Sequence, residues 1–360
     1  MPESAAPLED IDPQPTSLPG QRRWQGPRRL ALLIAGLVAL AGWLSSCSAA
    51  PPSPPAPAAP TICPPLPEIE APVDASIPAR APFYRVESDQ GGVLFLFGTI
   101  HLGPAEGWTL SAPVQSAIEA SRAFVFAIDL GEATEAHVST IVANNALLEP
   151  GTRLADRVSP ETLALLETHT ETLTQLGFPE RIRSMMKPWF LALGLLESQV
   201  GLTSYRLDEA ADRLIFEAKG ARRLIALETV EEQIALFDDL PPELQDLMLR
   251  DALSRHDEAD RSIEALVHAW HAGDDLTLAC LAREGVDALP GLEIFYERVL
   301  DERNRSWLTA LRPLLDAPSS DSSPAFVAVG ALHLVGPTSL PVLLEEAGFG
   351  VVAVRQGEAS

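Results

Sequence analysis

Two histidines in this 360-residue chain stand in closely matched sequence surroundings. His101 lies in FLFGTIHLGP and His333 lies in VAVGALHLVGP, so each follows an apolar run and the pattern Gly-x-x-His-Leu. Gly98 and Gly330 predict a tight backbone turn where each strand ends. Because ligands bind at the carboxyl edge of the strands in open α/β sheets, we expect both imidazoles to enter one cleft. There they could hold a divalent metal ion, or each could simply cap a strand end by hydrogen bonding.

Glu228 is the next candidate from the residues alone, because it directly follows a predicted strand. It could contact a metal or a substrate, or it could belong to the start of the next helix. The remaining histidines are less informative, since no HExxH pattern pairs them for zinc. The sequence also contains no GxSxG pattern and no Walker loop.

Short apolar runs alternate with helical patterns from residue 83 onward. The predicted strands are 84–88, 93–97, 124–130, 222–228, 325–330 and 351–354. Helices are predicted over 112–121, 207–219 and 339–347, with mostly helical stretches over 135–200 and 230–315. The pattern predicts an α/β fold with a central mixed sheet. Two strand–GxxH–helix–strand units form the ends of the domain, and a large helical insertion lies between them.

The N-terminal segment has the pattern of a secretion signal. Four arginines precede the fifteen-residue apolar run 30–44, which is followed by Leu44-Ser45-Ser46-Cys47. This ending resembles a bacterial lipobox, so residues 1–46 are predicted to be a signal peptide with an N-terminal extension and Cys47 to be lipidated. The alternative is an uncleaved anchor, although fifteen residues are short for a span of about 20. Ser48 rather than Asp after the cysteine favours the outer membrane, facing the periplasm.

Residues 47–82 are predicted to be a tether between the lipid anchor and the folded domain. Twelve of the 32 prolines lie in 51–82, where they favour extended polyproline II structure. The formal net charge of −24 disfavours nucleic acid as a partner and disfavours direct docking on an anionic membrane. In an oxidising periplasm Cys63 and Cys280 could form a disulfide, or they could remain two free thiols.

The order of the motifs resembles the TraB/GumN family, also called TraB/PrgY/GumN, whose animal relatives are the Tiki proteases. The family has a GTxH motif near the start and a GxxHL motif near the end, as at 98–101 and 330–334. Shorter landmarks between them also match in order: Lys187-Pro188-Trp189, Leu227-Glu228-Thr229 with Gln233, Trp270 with Gly273-Asp274, and Glu302-Arg303-Asn304 with Trp307. The resemblance implies a Tiki-like, EreA/ChaN-like domain over 83–357. It also implies a metal-dependent peptidase activity, with Mn, Co or Zn as the metal.

The chain departs from the family pattern at one important position. The family's second strand usually carries a glutamate of the proposed active site, and Ala127 stands there instead. Alanine cannot bind a metal or move a proton, and catalysis by metal-bound water usually needs such a carboxylate. Asp129 could compensate, or it could cap the following loop. By resemblance Arg303 and Asn304 face the same cleft, where Arg303 would clamp a substrate or form a buried ion pair.

The sequence therefore supports two functional hypotheses. The first is a cell-envelope metallohydrolase acting on peptides, with His101 and His333 holding the metal. Asp129 or Glu228 would supply the carboxylate, and Arg303 would clamp the substrate. The alternative is a non-catalytic module with a degenerate site that binds a peptide or another envelope component. A haem-binding lipoprotein is a third option, suggested only by analogy of fold to ChaN.

Overall fold

The computed structural model describes residues 63, 69, 71–283, 289–316 and 323–354. The predicted signal peptide, Cys47, most of the predicted tether and residues 355–357 lie outside these ranges. No helix within the described ranges is long and apolar enough to cross a membrane.

A six-stranded mixed sheet forms the centre of the domain. Its strands are β1 (Phe83–Glu87), β2 (Val93–Thr99), β3 (Ala123–Phe126), β4 (Arg223–Ala226), β5 (Ala325–Gly330) and β6 (Gly350–Ala353). They lie in the order β4-β3-β5-β2-β1-β6. The first four in this order are mutually parallel, whereas β1 pairs antiparallel with both β2 and β6. The carboxyl ends of four adjacent strands therefore meet at one edge of the sheet.

Helices cover both faces of the sheet and fill the middle of the chain. They are α1 (Ala112–Ala120), α2 (Glu135–Asn145), α3 (Pro160–Thr168), α4 (Thr170–Gln175), α5 (Glu180–Arg183), α6 (Pro188–Val200), α7 (Ala211–Lys219), α8 (Val230–Asp238), α9 (Pro242–Ser254), α10 (Ala259–Ala272), α11 (Asp275–Leu281), α12 (Leu292–Tyr296), α13 (Arg303–Leu315) and α14 (Leu340–Glu346). A π-helical turn, Glu297–Glu302, leads into α13. The expected α/β fold with a helical insertion is confirmed.

The alternation of side chains along the strands explains how the sheet is covered. Phe97, Phe124 and Phe326 are buried on one face, within a cluster that includes Ile215 of α7. The intervening apolar residues face the other way and pack against Trp307 and neighbouring residues of α13. Since successive side chains of a strand point to opposite faces, the near-continuous apolar runs are those of a sheet covered on both sides.

Two predicted elements are shorter than expected, for local reasons. Strand β3 ends at Phe126, not at residue 130, and the Asp129 carboxylate then accepts a hydrogen bond from the Gly131 amide at 2.7 Å. Such a side-chain turn redirects the chain away from the sheet. Helix α7 begins at Ala211 and not at residue 207, because Leu207–Glu209 form a separate 3₁₀ turn and Ala210 is extended.

Candidate functional site

Four of the positions singled out from the sequence lie at the ends of the four parallel strands. His101 follows β2 by two residues, and His333 closes a 3₁₀ turn (Ala331–His333) directly after β5. Ala127 follows β3 at once, and Glu228 follows β4 by two residues. The structure thus places all four at the carboxyl edge of the sheet, because their strands are neighbours in it.

Gly330 lies between the two imidazoles. A β-carbon built on Gly330 would be 3.7 Å from Cδ2 of His333 and 3.8 Å from Nε2 of His101. Those two ring atoms are therefore at most 7.5 Å apart, the sum of the two distances. The two histidines, although distant in the chain, border one small space.

The reason for glycine at these positions differs from the predicted one. Neither Gly98 nor Gly330 is among the glycines with positive φ, so neither makes a turn that requires glycine. At Gly98 a β-carbon would lie 2.9 Å from Cα of Ala331, too close for a real contact. The lack of a side chain at Gly98 gives room for the segment after β5. The lack of a side chain at Gly330 leaves space between the rings of His101 and His333.

His333 is completely buried and held at both ring nitrogens. Arg303 Nη1 donates to its Nε2 at 2.9 Å, and its Nδ1 lies 2.7 Å from Oδ1 of Asn304. A guanidinium can only donate, so Nε2 accepts and Nδ1 carries the proton in a neutral ring. The Trp307 ring packs on the imidazole at 4.3 Å between centroids. His333 is consequently a fixed part of the interior.

Arg303 forms a buried ion pair with Glu228. Its Nε and Nη2 donate to the two carboxylate oxygens at 3.0 and 2.7 Å, and both residues are buried. Complete burial lowers the pKa of the guanidinium, and the Glu228 charge acts against this shift. Trp307 Nε1 and Gln233 Nε2 also donate to Glu228, at 2.7 and 2.8 Å. The family landmarks around Glu228 and Arg303 therefore meet in one polar network beneath His333.

His101 is bound quite differently from His333. Its Nδ1 lies 3.2 Å from Oδ1 of Asp212 on α7, and its side chain is 16% exposed. The ring is not aligned for a hydrogen bond across that gap. Within the described ranges, neither ring nitrogen of His101, nor the Asp212 Oδ1 atom, nor the Thr99 hydroxyl has a hydrogen-bond partner. Thr99 pairs with Gly330 in the register of β2 and β5, so its hydroxyl belongs to the same strand end.

The remaining predicted residues lie apart from this space or are occupied. The Asp129 carboxylate accepts from the Gly131 amide and so caps the following loop. The sequence left two roles open for Asp129, this capping and compensation for Ala127. Ala127 is buried in the apolar cluster around Trp307. Asn304 connects His333 to Thr338, whose carbonyl accepts from the Asn304 amide at 2.9 Å. Arg303, which was also predicted from the sequence, pairs with Glu228 and does not face solvent.

The donor set does not fit a divalent ion held between His101 and His333. The Nε2 lone pair of His333 is already taken by a guanidinium N–H, and a metal there would meet a buried positive charge. In the described part of the chain, no group of three or more His, Cys, Asp and Glu side chains is arranged to hold a metal. The metal predicted from the sequence stays a prediction, and no catalytic step is derived through it.

Asp212 and Thr99 were not singled out by the sequence, and neither offered a strong signal. Asp212 stands in the first turn of an amphipathic helix, where a carboxylate is ordinary because of the helix dipole. The only available hint was that 207–219 precedes a strand of the same sheet. Trp270 was noted only as a landmark, and its indole donates to the Gly98 carbonyl at 2.8 Å, which anchors the end of β2.

An apolar cavity of about 280 Å³ lies among the helices of the insertion, close to the buried network. Its walls include Phe237, Met248 and Phe295, together with Leu332, which directly precedes His333. Val299 also lines it, and the Val299 carbonyl accepts from Arg303 Nη1 at 3.3 Å. The cavity therefore shares walls with the His333 network and offers a mainly hydrophobic surface.

A disulfide joins Cys63 to Cys280, with a Cα–Cα distance of 5.6 Å. It attaches the segment before β1 to helix α11. Two histidines of α10 contact the same segment. Nε2 of His268 lies 3.0 Å from the Ala71 carbonyl oxygen, and Nε2 of His271 lies 3.0 Å from the Ile77 carbonyl oxygen. These histidines are therefore accounted for by packing of the N-terminal segment.

Comparisons with known proteins agree with this architecture. The model of the TraB/PrgY/gumN family matches residues 82–353. The chain is 26% identical over 255 residues to the uncharacterized protein YbaP of Escherichia coli strain K12, covering 69% of this chain and 86% of YbaP. The same figures hold for YbaP of Shigella flexneri. No solved structure matches the chain.

Proposed function

This chain belongs to the TraB/PrgY/gumN family, and on that premise we propose that it is a cell-envelope hydrolase of peptide bonds, with His101 as general base. One observation carries the proposal. Of the two imidazoles beside Gly330, His333 is fixed by hydrogen bonds at both nitrogens, whereas His101 keeps Nε2 unpartnered within the described ranges. This difference supports a structural role for His333 and a chemical role for His101.

The proposed reaction needs a water molecule and a peptide carbonyl at Nε2 of His101, which is buried in the structure, so substrate binding must widen the space beside Gly330. Nε2 of neutral His101 takes a proton from the water as its oxygen bonds to the carbonyl carbon. The same proton then passes to the leaving nitrogen as the C–N bond breaks. General-base catalysis of this kind contributes about 10²–10⁴-fold to a rate. The Thr99 hydroxyl, unpartnered in the described chain and paired in register with Gly330, would bind one of the reacting oxygens.

The apolar cavity supports a substrate with a large hydrophobic group. A peptide bond beside Gly330 would place a neighbouring side chain near Leu332, which lies on the cavity wall. Burying apolar surface there would add binding energy of about 25 cal/mol per Å². We therefore propose peptides with Leu, Phe or Met next to the scissile bond as substrates.

The envelope location rests on the N-terminal sequence. The charged and apolar segments before Cys47 support secretion and lipidation, with anchoring in the outer membrane towards the periplasm. The Cys63–Cys280 disulfide is in keeping with an oxidising compartment. Radioactive palmitate added to expressing bacteria should label the protein, and Cys47→Ser should remove the label. Equal labelling of both forms would contradict lipidation at Cys47.

Hydrolysis is tested with the purified full chain in detergent and a mixed peptide library analysed by mass spectrometry. We expect cleavage next to large apolar residues, and metal analysis of the same sample showing far less than one ion per chain. One firmly bound ion per chain that is lost in His333→Ala would instead support the metal site predicted from sequence. No cleavage of any peptide would reject the hydrolase.

The cavity also favours a second candidate function, non-catalytic binding. Ala127 leaves the strand without its usual carboxylate, and Arg303 is too deeply buried to touch a ligand. In that case the protein would bind the apolar part of a peptide or envelope component without cleaving it. Peptides retained intact by the protein, with equal affinity for the parent and His101→Ala, would support this function over hydrolysis.

A further inference from the structure

The carboxylate nearest to His101 comes from a helix and not from the sheet. Asp212 stands in the first turn of α7, and its side chain is only 9% exposed. Its Oδ1 faces Nδ1 of His101 at 3.2 Å, while Nε2 of the same ring faces the space beside Gly330. One ring nitrogen is thus next to a carboxylate and the other next to the proposed reaction site.

We propose that Asp212, supplied by α7, is the positioning residue for His101. A carboxylate only accepts hydrogen bonds, so it favours the imidazole tautomer with the proton on Nδ1. That tautomer leaves the Nε2 lone pair free to take a proton. The effect on turnover rests on the proposed function, whereas the tautomer does not.

Backbone hydrogen bonds join the segment around His101 to the segment that leads into α7. The Ala211 amide donates to the Ile100 carbonyl at 2.9 Å. Gly103 and Arg206 exchange two backbone hydrogen bonds, at 2.9 and 2.7 Å. A β-carbon at Gly103 would lie 1.8 Å from the Glu209 carbonyl oxygen, so the segments approach as closely as backbone allows. This contact fixes the start of α7 against the residues on both sides of His101.

Burial strengthens the argument for a working pair. Asp212 Oδ1 and both ring nitrogens of His101 are buried, and in the described chain none has a hydrogen-bond partner. Unpartnered buried polar atoms are rare in folded proteins and need an explanation. Catalytic hydrogen bonds are often poorly aligned before substrate binds, so a small rotation of the ring would complete the Asp212–His101 bond.

The test uses Asp212→Asn, with Asp208→Asn as the matched control. Asp208 lies four residues earlier and pairs with Arg206 at the surface, away from His101. The tautomer is read from ¹⁵N chemical shifts of histidine-labelled full chain, and the His101 signal is identified by its loss in His101→Ala. We expect the proton on Nδ1 in the parent and in Asp208→Asn, and a shift towards Nε2 in Asp212→Asn.

Turnover gives the second readout. Asp212→Asn should lower kcat at least about 100-fold with KM nearly unchanged, because the residue acts through His101 and not on substrate. A parent His101 with its proton on Nε2, or an Asp212→Asn variant with unchanged tautomer, would overturn the inference. If the parent shows the Nδ1 tautomer but cleaves no peptide, the pairing stands and the proposed hydrolase falls.

Discussion

Glu228→Ala is expected to destabilise the folded domain by about 3–5 kcal/mol, the cost of leaving a buried charge without its partner. Arg303 is fully buried, and among the described residues the Val299 carbonyl and His333 Nε2 are the acceptors that remain for its hydrogen bonds after the substitution. Trp307 and Gln233 also lose their acceptor. Thermal unfolding of the purified protein should show the midpoint falling by roughly 6–20 °C.

The exposed pair Arg206–Asp208 provides the control. Its side chains are 53% and 45% exposed, so Asp208→Ala should leave the midpoint nearly unchanged. Replacing both partners of the buried pair, in Glu228→Leu with Arg303→Leu, should cost less than Glu228→Ala alone, because no charge then remains buried without a partner. A Glu228→Ala midpoint equal to that of Asp208→Ala would show that the carboxylate does not neutralise Arg303.

His101→Ala is expected to lower peptide cleavage by about 10²–10⁴-fold while leaving the fold intact. The ring is partly exposed and has no hydrogen-bond partner among the described residues, so its removal breaks little of the structure. The rate of peptide cleavage and the thermal midpoint should both be measured. Loss of activity without loss of stability would identify a catalytic group.

The two strand-end histidines should respond in opposite ways. His333→Ala removes a buried ring that contacts Arg303, Asn304 and Trp307, so it should lower the thermal midpoint clearly. His268→Ala, at a half-buried histidine of α10, should leave the cleavage rate unchanged and lower the midpoint far less than His333→Ala. Retention of more than a tenth of the parent cleavage rate by His101→Ala would remove His101 from the mechanism.

Much of the architecture follows from local sequence patterns. Apolar runs flanked by glycine and polar residues predicted the strands, because a strand buried on both faces needs such a run. The repeated Gly-x-x-His-Leu pattern predicted both histidines at strand ends, and the parallel pairing of β2 with β5 places them at one edge. The strand at 124–130 was predicted too long, since β3 ends at Phe126 and the Asp129 side chain forms a turn with the Gly131 amide that periodicity does not reveal.

Hydrophobic periodicity and glycine spacing are properties of neighbours in the chain, so they suffice to predict which residues stand at the strand ends. The partners of each of those residues come from distant parts of the chain and are seen only in the fold. Closely matched surroundings in sequence leave one imidazole hydrogen-bonded to Arg303 and the other facing Asp212, because their partners come from α13 and α7, elements distant in the chain. Partner choice depends on which helix packs over which strand end, and short-range patterns carry no record of that packing.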